Sequence, residues 1–377
     1  MNVRPLVDLF EENFLAYGEL GASISVWHRG EEVWSAAAGF QDPEKTRPWT
    51  KNTRVLIWSA TKGLASGCLI HACTQHGLSL ERRVAMIWPD YATQGKEDTT
   101  LLHVLSHQAG QPALRDTTVS VFDHDGVARA LAAQEPFWQP GQAHGYHSRT
   151  YGFLIDELLR RITGGVPVGA YFRQVFGEPL GLDLWIGIPK DLAGTVAPVR
   201  APRRAGSSPE ENSFYQAFTD PASLTRKAFS TPAGLPTPSS MNDPKVQMHM
   251  LPSFGGIGTA ESLARFYAEI CEPGIFDRET IDAMSTLLVS GEDQVLHLST
   301  GFGAGFMKDP VLNGKKQREL FGPSIQSFGQ PGAGGSHAFA DPENNLAFAY
   351  VMNQMEPGVF PNEKSLRIVR SLYARCL

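Results

Sequence analysis

Cysteine is scarce in this sequence. Four occur among 377 residues, Cys68, Cys73, Cys271 and Cys376, and none forms a C-x-x-C pair. That argues against a disulfide framework and fits a reducing compartment. Long apolar runs are missing as well, since none reaches the ~18 residues needed to span a bilayer. A clustered basic face is also missing. Formal net charge is −6, and the longest basic cluster, Arg200 to Arg204, is short and interrupted by proline. Nucleic acid and anionic membrane are therefore poor partners. The start of the chain carries Asp8, Glu11 and Glu12 among its apolar residues, unlike the n-region and h-region of a signal peptide. A cytoplasmic location is the expectation. No internal repeat, H-E-x-x-H, G-x-x-x-x-G-K-[ST] or G-x-S-x-G occurs, which disfavours a repeat array, a zincin, a P-loop protein and an α/β-hydrolase. His144 and His147, like His103 and His107, lack a supporting carboxylate, so neither a metal nor any cofactor is expected.

Hydrophobic residues make up 42% and charged residues 19%, enough to bury a sizeable core. Residues 3–17 repeat their apolar side chains at helical spacing, and Arg29-Gly30 reads as the turn between strands Ala22–His28 and Glu32–Ala38. From Val55 to about Arg161 the pattern reads as helical, with helices expected over Trp58–Gly77, Thr100–His107, Val127–Ala133 and Thr150–Thr163. Residues 187–250 read as a long irregular excursion, of the kind that is often functional. Another helix is expected over Glu261–Cys271, then strands over Gly303–Met307, Ser336–Ala340 and Leu346–Asn353, then a helix over Glu363–Leu377. Strands near both ends with helices between them suggest an α+β fold. Residues 1–54 and 251–377 would form an antiparallel sheet domain flanked by terminal helices, with 55–250 an inserted, mainly helical subdomain.

Three segments carry chemistry. Ser59-Ala60-Thr61-Lys62 is the one place where lysine follows serine by three residues. One helical turn puts both side chains on a common face near a helix start, where the dipole favours developing negative charge. A serine hydroxyl needs a neighbour to take its proton, and lysine can do so only with a lowered pKa. Tyr146 lies on the glycine-bracketed loop Gly141–Ser148. It could relay a proton if a neighbouring lysine depressed its pKa. It could equally pack on the following helix. The run Phe328-Gly329-Gln330-Pro331-Gly332-Ala333-Gly334-Gly335-Ser336 allows close backbone approach to a ligand. Pro331 has no N–H and is expected at a sheet edge or bulge.

In this order the three segments resemble the penicillin-binding protein and serine β-lactamase family, with the closest likeness to class C β-lactamases and family VIII carboxylesterases. The S-x-x-K element is Ser59–Lys62, the Tyr-x-Asn element is Tyr146-His147-Ser148, and the K-T-G-like element is Gln330-Pro331-Gly332. The stretch Thr100–Gly110 and the turn Glu178-Pro179-Leu180-Gly181-Leu182 are similar to further family segments. The resemblance implies a β-lactamase/transpeptidase-like fold and a serine acyl hydrolase. Ser59 would be the nucleophile, with Lys62 and Tyr146 the base system in either order. The amides of Ser59 and Ala333 would hold the oxyanion, with Gln330, Gly332 and Ser148 near the substrate. Ser148 stands where the family has Asn, Gln330 stands where it has Lys, and no S-D-N triplet exists. With no cation at Gln330, an ester or amide is favoured over a β-lactam. Acyl transfer, D-amino peptidase activity and a catalytically inactive binding module stay open. Phe214, Tyr215 and Phe218 are candidates either for an apolar subsite or for loop packing.

Overall fold

The computed structural model describes residues 3–202 and 212–375. Arg203, Arg204 and Cys376, and the last two residues of the expected C-terminal helix, lie outside the described residues. The fold is α+β. Strands β1 (Gly21–His28) and β2 (Glu31–Gly39) form the expected hairpin. Arg29 and Gly30 both take positive φ, 54° and 76°, which suits a two-residue turn matched to strand twist.

Three short strands, β3 (Val55–Trp58), β4 (Leu184–Ile186) and β5 (Gly256–Gly258), make a small sheet in the order β3-β5-β4. That sheet joins residues on either side of the boundaries expected at 54 and 251. Next come β6 (Val289–Glu292), β7 (Ser299–Phe302), β8 (Met307–Lys308), a small hairpin of β9 (Val311–Leu312) and β10 (Lys315–Lys316), then β11 (Phe328–Gly329), β12 (His337–Asp341) and β13 (Leu346–Met352). The main sheet is antiparallel, in the order β2-β1-β13-β12-β11-β8-β7-β6. The two chain ends meet as its second and third strands, where Ser23 pairs with Val351 and Val26 with Phe348.

Strand β13 is buried along its whole length because both faces of the sheet are covered. On one face Leu6 and Phe10 of the helix Arg4–Leu15 pack with Ile368, Val369 and Leu372 of the helix Glu363–Arg375. On the other lies the helix Ala260–Glu269. Beyond it the helix Thr61–Gln75 is buried on nearly all sides. A Cβ on Gly63 would sit 2.5 Å from the Tyr267 hydroxyl, so small residues let this helix approach its neighbours. No helix among the described residues is long and apolar enough to cross a membrane.

Several sequence expectations need correction. Val55–Trp58 is strand, and the helix expected from Trp58 starts at Thr61. Gly303–Met307 is mostly the connection between β7 and β8, because Gly305 turns the chain at φ 84°. Residues 187–250 are less irregular than expected, since they contain the helices Asn212–Thr219 and Leu224–Ser230. Pro331 follows β11, an inner strand rather than an edge. The pairing of β11 with β8 is confined to Gly329–Met307, so no ladder bond is asked of the proline.

Candidate active site

Ser59 sits where β3 turns into the helix Thr61–Gln75. Trp58, just before it, takes φ 51°, a conformation that bulky residues rarely adopt. The turn is clamped by Thr61, whose hydroxyl donates to the Trp58 carbonyl at 2.5 Å and accepts the Gly256 amide at 2.7 Å. Ser59 is half-buried, and its carbonyl accepts the Lys62 amide at 2.9 Å.

Lys62 is fully buried and pairs with no carboxylate among the described residues. Its Nζ lies 3.2 Å from Ser59 Oγ, 2.8 Å from the Ser148 carbonyl oxygen and 2.9 Å from that of Ser253. Burial pushes the amine well below the usual lysine value. A neutral amine has two hydrogens and one lone pair. Donating both hydrogens to the two carbonyls leaves the lone pair for the serine hydroxyl. Ser253 is brought in from 191 residues away by its own hydroxyl. That hydroxyl accepts the Gly152 amide at 2.7 Å and donates to the Arg149 carbonyl at 2.5 Å.

Tyr146 reaches the same point from a loop with little freedom. Its amide donates to Asp293 Oδ1 at 3.0 Å, and Val295 and Leu296 donate to the same oxygen at 2.9 Å. The His147 amide donates to His107 Nδ1 at 3.0 Å, and His147 Nε2 accepts the Gln111 amide at 2.9 Å. The His107 ring stacks on Tyr151 at 4.4 Å and tilts against Tyr146 at 5.0 Å. Burial lowers both histidines, His147 to about 3, so they act as neutral props. His144 Nε2 lies 2.9 Å from the Thr300 hydroxyl, and His103 Nδ1 accepts the Thr100 amide at a helix start. The His107 and His147 rings lie 5.4 Å apart, and no group of three metal-ligating side chains exists among the described residues.

The Tyr146 hydroxyl accepts Gln330 Nε2 at 3.2 Å and is close enough to the Ser59 side chain to feel its dipole. Lys62 Nζ is 4.8 Å from the centre of the phenol ring. Burial pushes the phenol above its ordinary value, contrary to the expected depression. An amine neutralised by burial supplies no positive field to lower it.

The glycine run closes the remaining side. The Gly332 amide donates to the Ser336 carbonyl at 2.7 Å. A Cβ on Gly332 would lie 2.3 Å from the Ile57 carbonyl oxygen and 3.1 Å from Trp58 Cβ, so this glycine lets the run press against the strand leading to Ser59. Among the described residues neither the Ser59 amide nor the Ala333 amide makes a hydrogen bond. Both residues line one cavity of about 430 Å³, together with Ser148. Gln330 and Gly332 stand behind the cavity rather than in its lining.

Carbon surface in the cavity comes mainly from Phe218, Phe229, Leu235, Met241 and Phe254. Of the three aromatic candidates, Phe218 lines it. Phe214 is buried behind Phe218 with ring centres 5.7 Å apart, and Tyr215 does not line it. Sequence reasoning missed Ser253, Asp293, Arg149 and Arg226. Only Arg149, next to Ser148, carried a signal by its position.

Comparison with known proteins gives the family and fold. Residues 6–372 match the family model described as Beta-lactamase. The chain is 30% identical over 348 residues to the Esterase/beta-lactamase LipL of Mycobacterium tuberculosis (strain ATCC 25618 / H37Rv), covering 89% of this chain and 77% of that protein. It superposes on a crystal structure of a family VIII carboxylesterase with TM-score 0.86 and 30% identity, over 99% of this chain and 96% of that one. A penicillin-binding protein homologue from Caulobacter crescentus gives TM-score 0.85 and 32% identity over 98% and 96%.

Proposed function

The chain belongs to the β-lactamase family, and from that premise we propose that it is a serine acyl hydrolase cleaving a small ester through an acyl-enzyme on Ser59. One observation carries the reading: a buried lysine whose two hydrogens have carbonyl acceptors and whose nitrogen lies 3.2 Å from a serine hydroxyl.

Ser59 Oγ attacks the ester carbonyl carbon, and its proton passes to Lys62 Nζ. The amides of Ser59 and Ala333 receive the oxyanion, each such donor being worth ~3 kcal/mol to the transition state. The raised pKa keeps the Tyr146 phenol protonated. It gives its proton to the departing alkoxide and takes one back from the Lys62 ammonium. Collapse of the intermediate breaks the C–O bond and leaves the acyl group on Ser59. Water then attacks the acyl carbon with Lys62 again as base; as the bond to Ser59 Oγ breaks, Lys62 returns the proton to Ser59 and the acid leaves.

Gln330 favours ester over lactam. It donates to Tyr146 and brings no charge to the place where the family carries a cation. A β-lactam carboxylate has no partner there. Ser59→Ala is expected to abolish release of nitrophenol from a short-chain 4-nitrophenyl ester while the thermal transition stays in place. Turnover equal to wild type would refute the nucleophile.

A further inference from the structure

The lining of the cavity beside Ser59 is unbalanced in charge. Among the described residues two arginines line it, Arg149 and Arg226, and no acidic residue does. Arg149 is committed to the wall. Its Nη1 donates to the carbonyls of Pro232 and Gly234 at 2.9 and 2.7 Å, and its Nη2 to that of Leu235 at 3.1 Å.

Arg226 is not committed. It is exposed on the helix Leu224–Ser230, and among the described residues only its backbone is hydrogen-bonded, its amide to Ser223 Oγ and its carbonyl to Ser230 Oγ. No carboxylate pairs with its guanidinium among the described residues. Its guanidinium lies over the Phe218 ring, 5.4 Å from the ring centre, and Phe218 is itself part of the lining. The two arginines also repel each other, which adds to burial in bringing Arg149 down to about 10. A cation placed against a like charge, with its donors unspent and facing an apolar cavity, does little for the fold. It is suited to meet an anion with its planar fork.

We infer that Arg226 is a specificity-determining residue that recognises a carboxylate on the substrate. The substrate class is then an amphipathic, monoanionic ester. Its hydrocarbon part lies on the wall of Phe218, Phe229 and Phe254, and its free carboxylate pairs with Arg226. The inference rests on the ester hydrolase reading and narrows it. Arg226 comes from a different segment than Gln330, so it does not restore the cation missing from the K-T-G-like stretch.

The test compares the mono-4-nitrophenyl ester of adipic acid with its carboxamide analogue, identical in shape but uncharged. For wild type, kcat/KM is expected to favour the acid by about tenfold or more, the scale of one charge-assisted contact. The preference weakens with added sodium chloride. In Arg226→Gln the ratio falls to about one, and in Arg226→Lys it is intermediate, because ammonium keeps the charge and loses the fork. A wild-type ratio near one, or a ratio unchanged in Arg226→Gln, overturns the inference. Calorimetric binding of the same two esters to Ser59→Ala protein, with and without Arg226→Gln, reads the ratio without turnover. A protein that hydrolyses neither ester would overturn the hydrolase reading, and the binding ratio would still decide the role of Arg226.

Discussion

Gly332→Ala is the sharpest test of how the catalytic cleft is assembled. Gly332 does not occupy positive φ, so alanine brings no backbone strain, and any effect comes from clearance. The new Cβ would stand 2.3 Å from the Ile57 carbonyl oxygen, 3.0 Å from Ser336 Cβ and 3.1 Å from Trp58 Cβ. The nearest of these is backbone and cannot rotate away. Either the glycine run or β3 must retreat by roughly 1 Å to reach ordinary van der Waals separation. Ala333 is the next residue, so its amide moves with the run while Ser59 stays tied to β3. Overpacking of this kind costs about 1–3 kcal/mol of stability, which a chain with this much core survives. The catalytic cost is larger, because displacing an oxyanion donor lowers kcat by about 10²–10³. Steady-state hydrolysis of 4-nitrophenyl butyrate, with a thermal melt alongside, is the assay. A folded Gly332→Ala protein with kcat within threefold of wild type would refute the claim that this contact sets the Ala333 donor.

Two further outcomes are expected. Lys62 acts as base only when neutral, and burial holds its amine well below the ordinary 10.5. Activity is therefore present above that lowered pKa and lost as pH falls through it. Tyr146, raised above its ordinary 10, adds no alkaline limb below that value. A pH profile of kcat/KM with its inflection at the ordinary lysine value would contradict this assignment. Tyr146→Phe removes the hydroxyl that stands beside Ser59 and accepts Gln330. General-acid loss is expected to lower kcat about 10²–10⁴-fold with little change in KM, and an unchanged kcat would remove Tyr146 from the proton path.

The sequence made the reacting groups legible because their chemistry is local. Ser59 and Lys62 are one turn apart, and the hairpin at Arg29-Gly30 announces itself by its turn. The helix start was misplaced for a physical reason: Val55–Trp58 is a short apolar run, and periodicity does not separate buried strand from buried helix over four residues. β4 and β5 are three residues each, too short to show any period. What neutralises Lys62 is non-local, its burial where the segments carrying Ser148 and Ser253 close over it. The direction of the Tyr146 shift followed from the same burial and ran against the expectation of a charged lysine beside it. Arg226 gave no signal at all, since only the folded chain places it beside the cavity that contains Ser59.

The central claim is that a neutral Lys62 activates Ser59, and mass spectrometry of the folded protein treated with a fluorophosphonate tests it most directly. The account predicts one adduct, mapped to the peptide containing Ser59, formed rapidly by wild type and far more slowly by Lys62→Gln. An adduct on another residue, or equal labelling rates in the two proteins, would contradict it.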